Sequence, residues 1–142
     1  MRHARNLRAR RAPAPCFALP LLVALFLPAA ASAQYNYGDA LLKAVQWFDA
    51  NKCGTAVATG NVFSWRGACH TTDGSAAGID LTGGYHDAGD HVKFGLPQGF
   101  SAAMLGWALY EYRADFDRAG ATTKTLQQLK YFTDYFLKSH PN

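Results

Sequence analysis

The sequence predicts an all-α fold carrying one long glycine-rich loop. Three segments place apolar residues at helical spacing, the interval from Cys53 to Pro97 sustains neither a helical nor a strand period, and nine of the thirteen glycines fall inside that interval. The first helix runs from Tyr37 to about Ala50. Leu41, Val45 and Phe48 recur at i, i+4 and i+7, Asn36 stands where a capping side chain is needed, and Cys53 and Gly54 follow the end. Leu42 and Trp47 widen its apolar face, which implies neighbours on more than one side. In the loop, a short extended piece is expected over Asn61 to Arg66. Structureless connections beyond about 15 residues are uncommon in compact domains unless functional or disordered. Phe63, Trp65, Tyr85 and Phe94 argue against disorder, because such large side chains need burial. The second helix, Gln98 to about Phe116, puts Met104, Leu105, Ala108, Leu109 and Tyr112 on one face, with Pro97 ahead of it and Gly120 behind. The third, Thr123 to about Ser139, puts Leu126, Leu129, Thr133, Phe136 and Leu137 on one face, with Lys138 in its last turn and Pro141 beyond.

Residues 1–33 have the layout of a secretory signal peptide. Arg2, Arg5, Arg8, Arg10 and Arg11 precede an apolar run from Cys16 to Ala30, and Ala31-Ser32-Ala33 supplies the small residues of a cleavage site. A membrane anchor fits less well, since a spanning helix needs roughly 20 apolar residues and this run is shorter and broken by Pro20 and Pro28. Without the leader, nine basic residues face ten acidic ones, a net charge of −1. The basic excess of the whole chain therefore says nothing for a nucleic-acid partner, and a neutral or weakly charged one fits better. Export makes a disulfide between Cys53 and Cys69 the expectation, closing a loop of about 15 residues, worth roughly 3 kcal/mol by chain entropy. A zinc site drawn from Cys53, Cys69, His70, His86 and His91 finds no support in C-x-x-C or H-x-x-x-H spacing, so no metal and no cofactor is expected.

The stretch from Gly83 to Pro97, G-G-Y-H-D-A-G-D-H-V-K-F-G-L-P, is where chemistry concentrates. Asp87 and Asp90 stand three apart with Gly89 between them, so a sharp turn aims both carboxylates into one small volume suited to holding a water or a cation. Taken alone, Asp-Ala-Gly-Asp reads equally well as a surface turn. A calcium loop built from Asp73, Asp80, Asp87 and Asp90 lacks the D-x-D-x-D-G spacing and the closing Glu.

The run Asp80 to Pro97, D-L-T-G-G-Y-H-D-A-G-D-H-V-K-F-G-L-P, resembles the signature of glycoside hydrolase family 9, cellulases built on an (α/α)6 barrel. Tyr37 to Phe48 is similar to that family's first helix, Ser64-Trp65-Arg66-Gly67 to its serine-tryptophan-arginine-glycine stretch, and Asp134-Tyr135-Phe136 to His140-Pro141 to the end of its third helix. The resemblance implies that residues 34–142 are the N-terminal part of such a catalytic domain. It implies that Asp87 and Asp90 grip the water that attacks the anomeric carbon, Asp90 as principal base, in an inverting endo-β-1,4-glucanase acting on cellulose. His86, a position where many relatives have tyrosine, and His91, Lys93, Tyr85, Trp65 and Arg66 are implied to bind substrate or support the site, with Trp65, Arg66 and Tyr85 read as braces more than sugar contacts. A secreted, extracellular monomer is expected, with a polysaccharide for partner, no nucleic acid, and no membrane once the leader is removed. The family's general acid is a glutamate far downstream, whereas the only glutamate here is Glu111, inside the second helix. The chain alone is therefore expected to be inactive. The alternative is a non-catalytic carbohydrate-binding or structural fragment.

Overall fold

The computed structural model describes residues 35–87 and 89–140. Residues 1–34, which include the expected leader, Ala88 and the final Pro141-Asn142 lie outside the described residues. Helix α1, Tyr37–Asn51, starts as its sequence predicts: the Asn36 side chain accepts a hydrogen bond from the Asp39 N–H at 3.0 Å. Helix α2, Gly95–Glu111, begins two residues ahead of Pro97, which sits in the first turn, where no N–H is needed. The single second helix of the sequence reading is two helices. Tyr112 (φ −114°, ψ 33°) leaves the helical region, and α3, Arg113–Arg118, follows. Gly120 turns the chain at φ +67° into α4, Thr122–Ser139.

Val45 of α1, Leu109 of α2, Phe116 of α3 and Ala121 form one core cluster, with Leu41, Leu42, Leu105 and Leu129 packed around it. A second, aromatic cluster lies closer to the loop. Tyr85 is tilted over Phe132 of α4 with ring centroids 4.0 Å apart, and Phe48 of α1 meets both rings edge-on at 5.8 and 5.7 Å. The buried stripe of α4 differs from the expected one. Thr122, Thr125, Gln128 and Phe132 face inward, while Leu126, Thr133 and Leu137 lie exposed.

The long loop is irregular throughout. Over Asn61 to Arg66 the expected extended piece is a turn, closed by the Arg66 N–H on the Phe63 carbonyl at 3.1 Å. A short 3₁₀ turn, Ser75–Ala77, lies between Gly74 and Gly78, both left-handed. The loop is tied down at its ends. Lys52 pairs with Tyr85 and Gly54 with Cys69 in isolated antiparallel bridges, so the chain leaving α1 runs beside the approach to the Asp-Ala-Gly-Asp turn.

Candidate active site

Local sequence explains the turn. The Asp87 N–H donates to the Val92 carbonyl at 3.0 Å, and the Asp90 carboxylate accepts the Val92 N–H at 3.1 Å. His91 takes φ +60°, the left-handed value that returns the chain on itself. Both carboxylates are exposed, and one oxygen of Asp90 is held by the backbone. Asp87 lines two clefts, one with Trp47, Pro97, Gln98 and Ser101, the other with Trp47, Trp65, Arg66 and His91. The turn therefore leaves both carboxylates open to solvent.

Beneath this turn the chain is held by contacts from every helix except α3. Gly83 and Gly84 adopt φ +107° and +74°, and a Cβ on Gly84 would lie 2.7 Å from Gln98 Oε1 and 2.9 Å from the Tyr135 ring. No other residue fits there. The Tyr85 N–H donates to Gln98 Oε1 at 2.9 Å. The Tyr85 hydroxyl donates to Gln128 Oε1 at 2.6 Å, and Gln128 Nε2 donates in turn to Asp49 at 2.7 Å. Asp49, fully buried, also accepts from Lys52, Lys124 and the Val62 N–H. Burial pushes its carboxyl up, but the bonds from Lys124, Gln128 and Lys52 outweigh this and hold it below the usual carboxylate range. Lys93 is likewise a brace. Its ammonium pairs with Asp73 at 2.6 Å, donates to the Leu81 and Gly83 carbonyls at 2.6 and 3.1 Å, and lies over the Tyr135 ring. Tyr85 is buried in the aromatic cluster beneath the turn, whereas Trp65 is 69% exposed.

Arg66, His86 and the two cysteines form a separate cluster. Arg66 Nη2 donates to the Lys52 carbonyl at 2.7 Å and lies 3.3 Å from both Cys69 Sγ and His86 Nδ1. The His86 ring stands 5.0 Å, centroid to centroid, from both His70 and His91. Burial, then the positive charge of Arg66, lowers His86 to about 4, so it is neutral at pH 7. The disulfide expected between Cys53 and Cys69 is not formed. The thiols are free, with sulfurs 3.4 Å apart. Burial and the neighbouring Cys69 push the Cys53 thiol up to about 12. Ligand atoms of Cys53, Cys69 and His86 all lie within 4.8 Å of one another, and His86 Nε2 has no hydrogen-bond partner. Two thiolates at about 2.3 Å from a tetrahedral zinc stand roughly 3.8 Å apart, much nearer the observed spacing than the roughly 2.05 Å of a disulfide. The donor set fits a borderline cation such as zinc. Its spacing in sequence conceals it, because His86 follows Cys69 by 17 residues and no paired-ligand motif links them.

Comparison with known proteins decides the family. The model of Glycosyl hydrolase family 9 matches residues 37–142. The chain belongs to this family. Endoglucanase A of Bacillus pumilus is 47% identical over 108 residues, 76% of this chain and 16% of that protein. Endoglucanase 5 of Arabidopsis thaliana is 44% identical over 127 residues, 88% of this chain and 20% of its own length. The crystal structure of the cellulase Cel9M of C. cellulolyticum superposes with a TM-score of 0.75 at 69% identity, over 78% of this chain and 26% of that one, and has also been solved in complex with cellobiose. The family 9 chain described here thus spans about a fifth of the length of such curated relatives. Its helices are part of the family's (α/α)6 barrel. Among the described residues no helix is long and apolar enough to cross a membrane.

Sequence reasoning missed Gln98, Gln128, Asp49 and Lys124. Each reads as an ordinary solvated residue, and only the bonds across the fold, 79 residues apart for Gln128 and Asp49, mark it as buried. Trp47, on the widened apolar face of α1, lines both clefts beside Asp87.

Proposed function

We propose that the chain supplies the water-activating half of an endo-β-1,4-glucanase active site, acting on cellulose and related β-glucans with inversion in a full-length catalytic domain. Asp90 is the principal base and Asp87 fixes the direction of the water. One observation carries the reading: two exposed carboxylates on a single hydrogen-bonded turn inside the family signature, with Asp87 lining an aromatic-walled cleft. Both lie on one side of any bound sugar, so the proton for the leaving oxygen must come from a carboxyl across the cleft. An inverting pair stands roughly 6.5 to 9.5 Å apart to admit the water. The endoglucanase names of the relatives and the cellobiose complex of Cel9M support a glucan substrate. The leader layout of residues 1–33 supports secretion.

The test joins residues 35–142 to the remainder of the C. cellulolyticum cellulase domain. The hybrid should hydrolyse soluble β-glucan and release the α-anomer first, by NMR, while the 142-residue chain alone releases no sugar. In the hybrid, Asp90→Ala should lower turnover about 10²- to 10⁴-fold with substrate affinity near normal, and Asp87→Ala somewhat less. Near-normal turnover by Asp90→Ala, or a β-anomer as first product, would sink the assignment.

A further inference from the structure

Among the described residues, three buried side-chain atoms that should hydrogen bond meet no partner: Arg66 Nε, His86 Nε2 and Gln98 Nε2. Arg66 and His86 belong to the cysteine cluster. Gln98 does not. Its side chain is only 3% exposed, and its Oε1 is fixed on the Tyr85 N–H at 2.9 Å. A backbone N–H can only donate, so the amide cannot be turned end for end, and Nε2 with its two hydrogens is the end left unmet. A buried donor without an acceptor is costly, so this end calls for one. Gln98 also lines a cleft together with Asp87, Ser101 and Asn51, between walls of Trp47 and Phe48. The cleft measures about 50 Å³. That is room for one or two waters, each of which takes about 30 Å³ in the liquid, and far below the roughly 300 Å³ at which small-ligand sites begin.

Asp87 stands in the opposite need. The Asp90 carboxylate is held by the Val92 N–H at 3.1 Å, but among the described residues no group donates to that of Asp87. A carboxylate that is to fix the direction of an attacking water must itself be fixed, because rotation of its oxygens would spread the lone pairs over many directions.

We propose that Gln98 is a positioning residue for Asp87 and acts through one ordered water in the cleft between α1, α2 and the turn. The water accepts from Gln98 Nε2 and donates to an Asp87 oxygen, with Ser101 and Asn51 lining the same space for its second O–H. Two to four polar partners are what a buried water requires. Support then runs from the Tyr85 backbone through the Gln98 amide to the carboxylate, so one glutamine both anchors the loop and aims Asp87. The role in turnover rests on the glucanase reading, whereas the water does not.

In a high-resolution crystal structure of the hybrid enzyme, an ordered water should lie about 2.7–3.2 Å from both Gln98 Nε2 and an Asp87 oxygen. Gln98→Met removes the donor, and Ser101→Leu fills the cleft while leaving the bond between Gln98 and Tyr85 in place. Each should lower kcat about two- to tenfold, the worth of one hydrogen bond, with KM little changed. Because both remove the same water, the double variant should be no slower than the slower single one. A glutamine that only props Tyr85 would leave Ser101→Leu at full kcat. That result, factors that multiply in the double variant, or no water at Gln98 Nε2 would overturn the proposal. If the water is missing while Asp90→Ala lowers turnover as expected, the positioning role is wrong and the catalytic assignment stands. If the water is present and Asp90→Ala keeps its turnover, the bridge stands and the glucanase reading falls.

Discussion

Replacing Asp49 with alanine tests whether the active-site turn is held by a buried charge network. Asp49 is fully buried and faces Lys52 Nζ at 2.9 Å and Lys124, whose side chains are 5% and 12% exposed. Removing one partner of a buried pair costs about 3–5 kcal/mol, because the other charge is left without compensation. Gln128 Nε2 and the Val62 N–H also lose their acceptor, each a loss of about 1–3 kcal/mol if nothing replaces it. Relaxation offsets part of this, since Lys124 also donates to the Gly60 carbonyl at the surface and can turn outward. A net loss of about 4 kcal/mol follows, about a quarter or more of the roughly 5–15 kcal/mol that holds a domain together. The sign of the pH effect is fixed by the lowered Asp49 carboxyl. Its contribution is complete above the unfolded value of about 4 and drains away as pH falls through the lower folded value. Urea unfolding of the 142-residue chain and of Asp49→Ala, followed by far-UV circular dichroism at pH 7 and again between pH 5 and 3, measures both. The variant should unfold at much lower urea and show a flatter acid limb. A loss below about 1 kcal/mol, or an acid limb unchanged by the substitution, would refute the network.

Two other substitutions probe the frame around the site. Gly84→Ala forces a Cβ within 2.7 Å of Gln98 Oε1 at φ +74° and should cost about 2–4 kcal/mol in the same assay, whereas Gly99→Ala, whose Cβ meets nothing within 4 Å, should be close to neutral or stabilising. For the cysteine cluster, the unreduced, denatured chain should react as two free thiols beyond Cys16, and the folded chain should bind one zinc ion in competition with a chromophoric chelator. Cys69→Ser should abolish that binding. Zero reactive thiols at Cys53 and Cys69 would restore the disulfide.

The sequence by itself determined the helical class and the identity of the turn, because both are local. Leu41, Val45 and Phe48 announce α1, and Asn36 caps it where its chemistry requires. The run from Asp80 to Pro97 carries two carboxylates three residues apart, so family and turn were legible without any long-range contact. What the tertiary structure decided is which side of each element faces inward and what the buried polar groups do. Periodicity shows that α4 has an apolar stripe, yet Leu126 and Leu137 lie outside while Thr125 and Gln128 lie inside. A polar side chain is buried at acceptable cost only when a partner meets it, and the partners of Gln128 come from Asp49 and Tyr85, 79 and 43 residues away. The free thiols have the same origin. Spacing and compartment indicate a bond between Cys53 and Cys69, but the fold holds their sulfurs 3.4 Å apart and places His86 beside them, three donors that could hold a cation. The break at Tyr112 is likewise tertiary: the apolar pattern continues through it, but Phe116 reaches the core beside Val45 and Leu109 only after the backbone has left the helix.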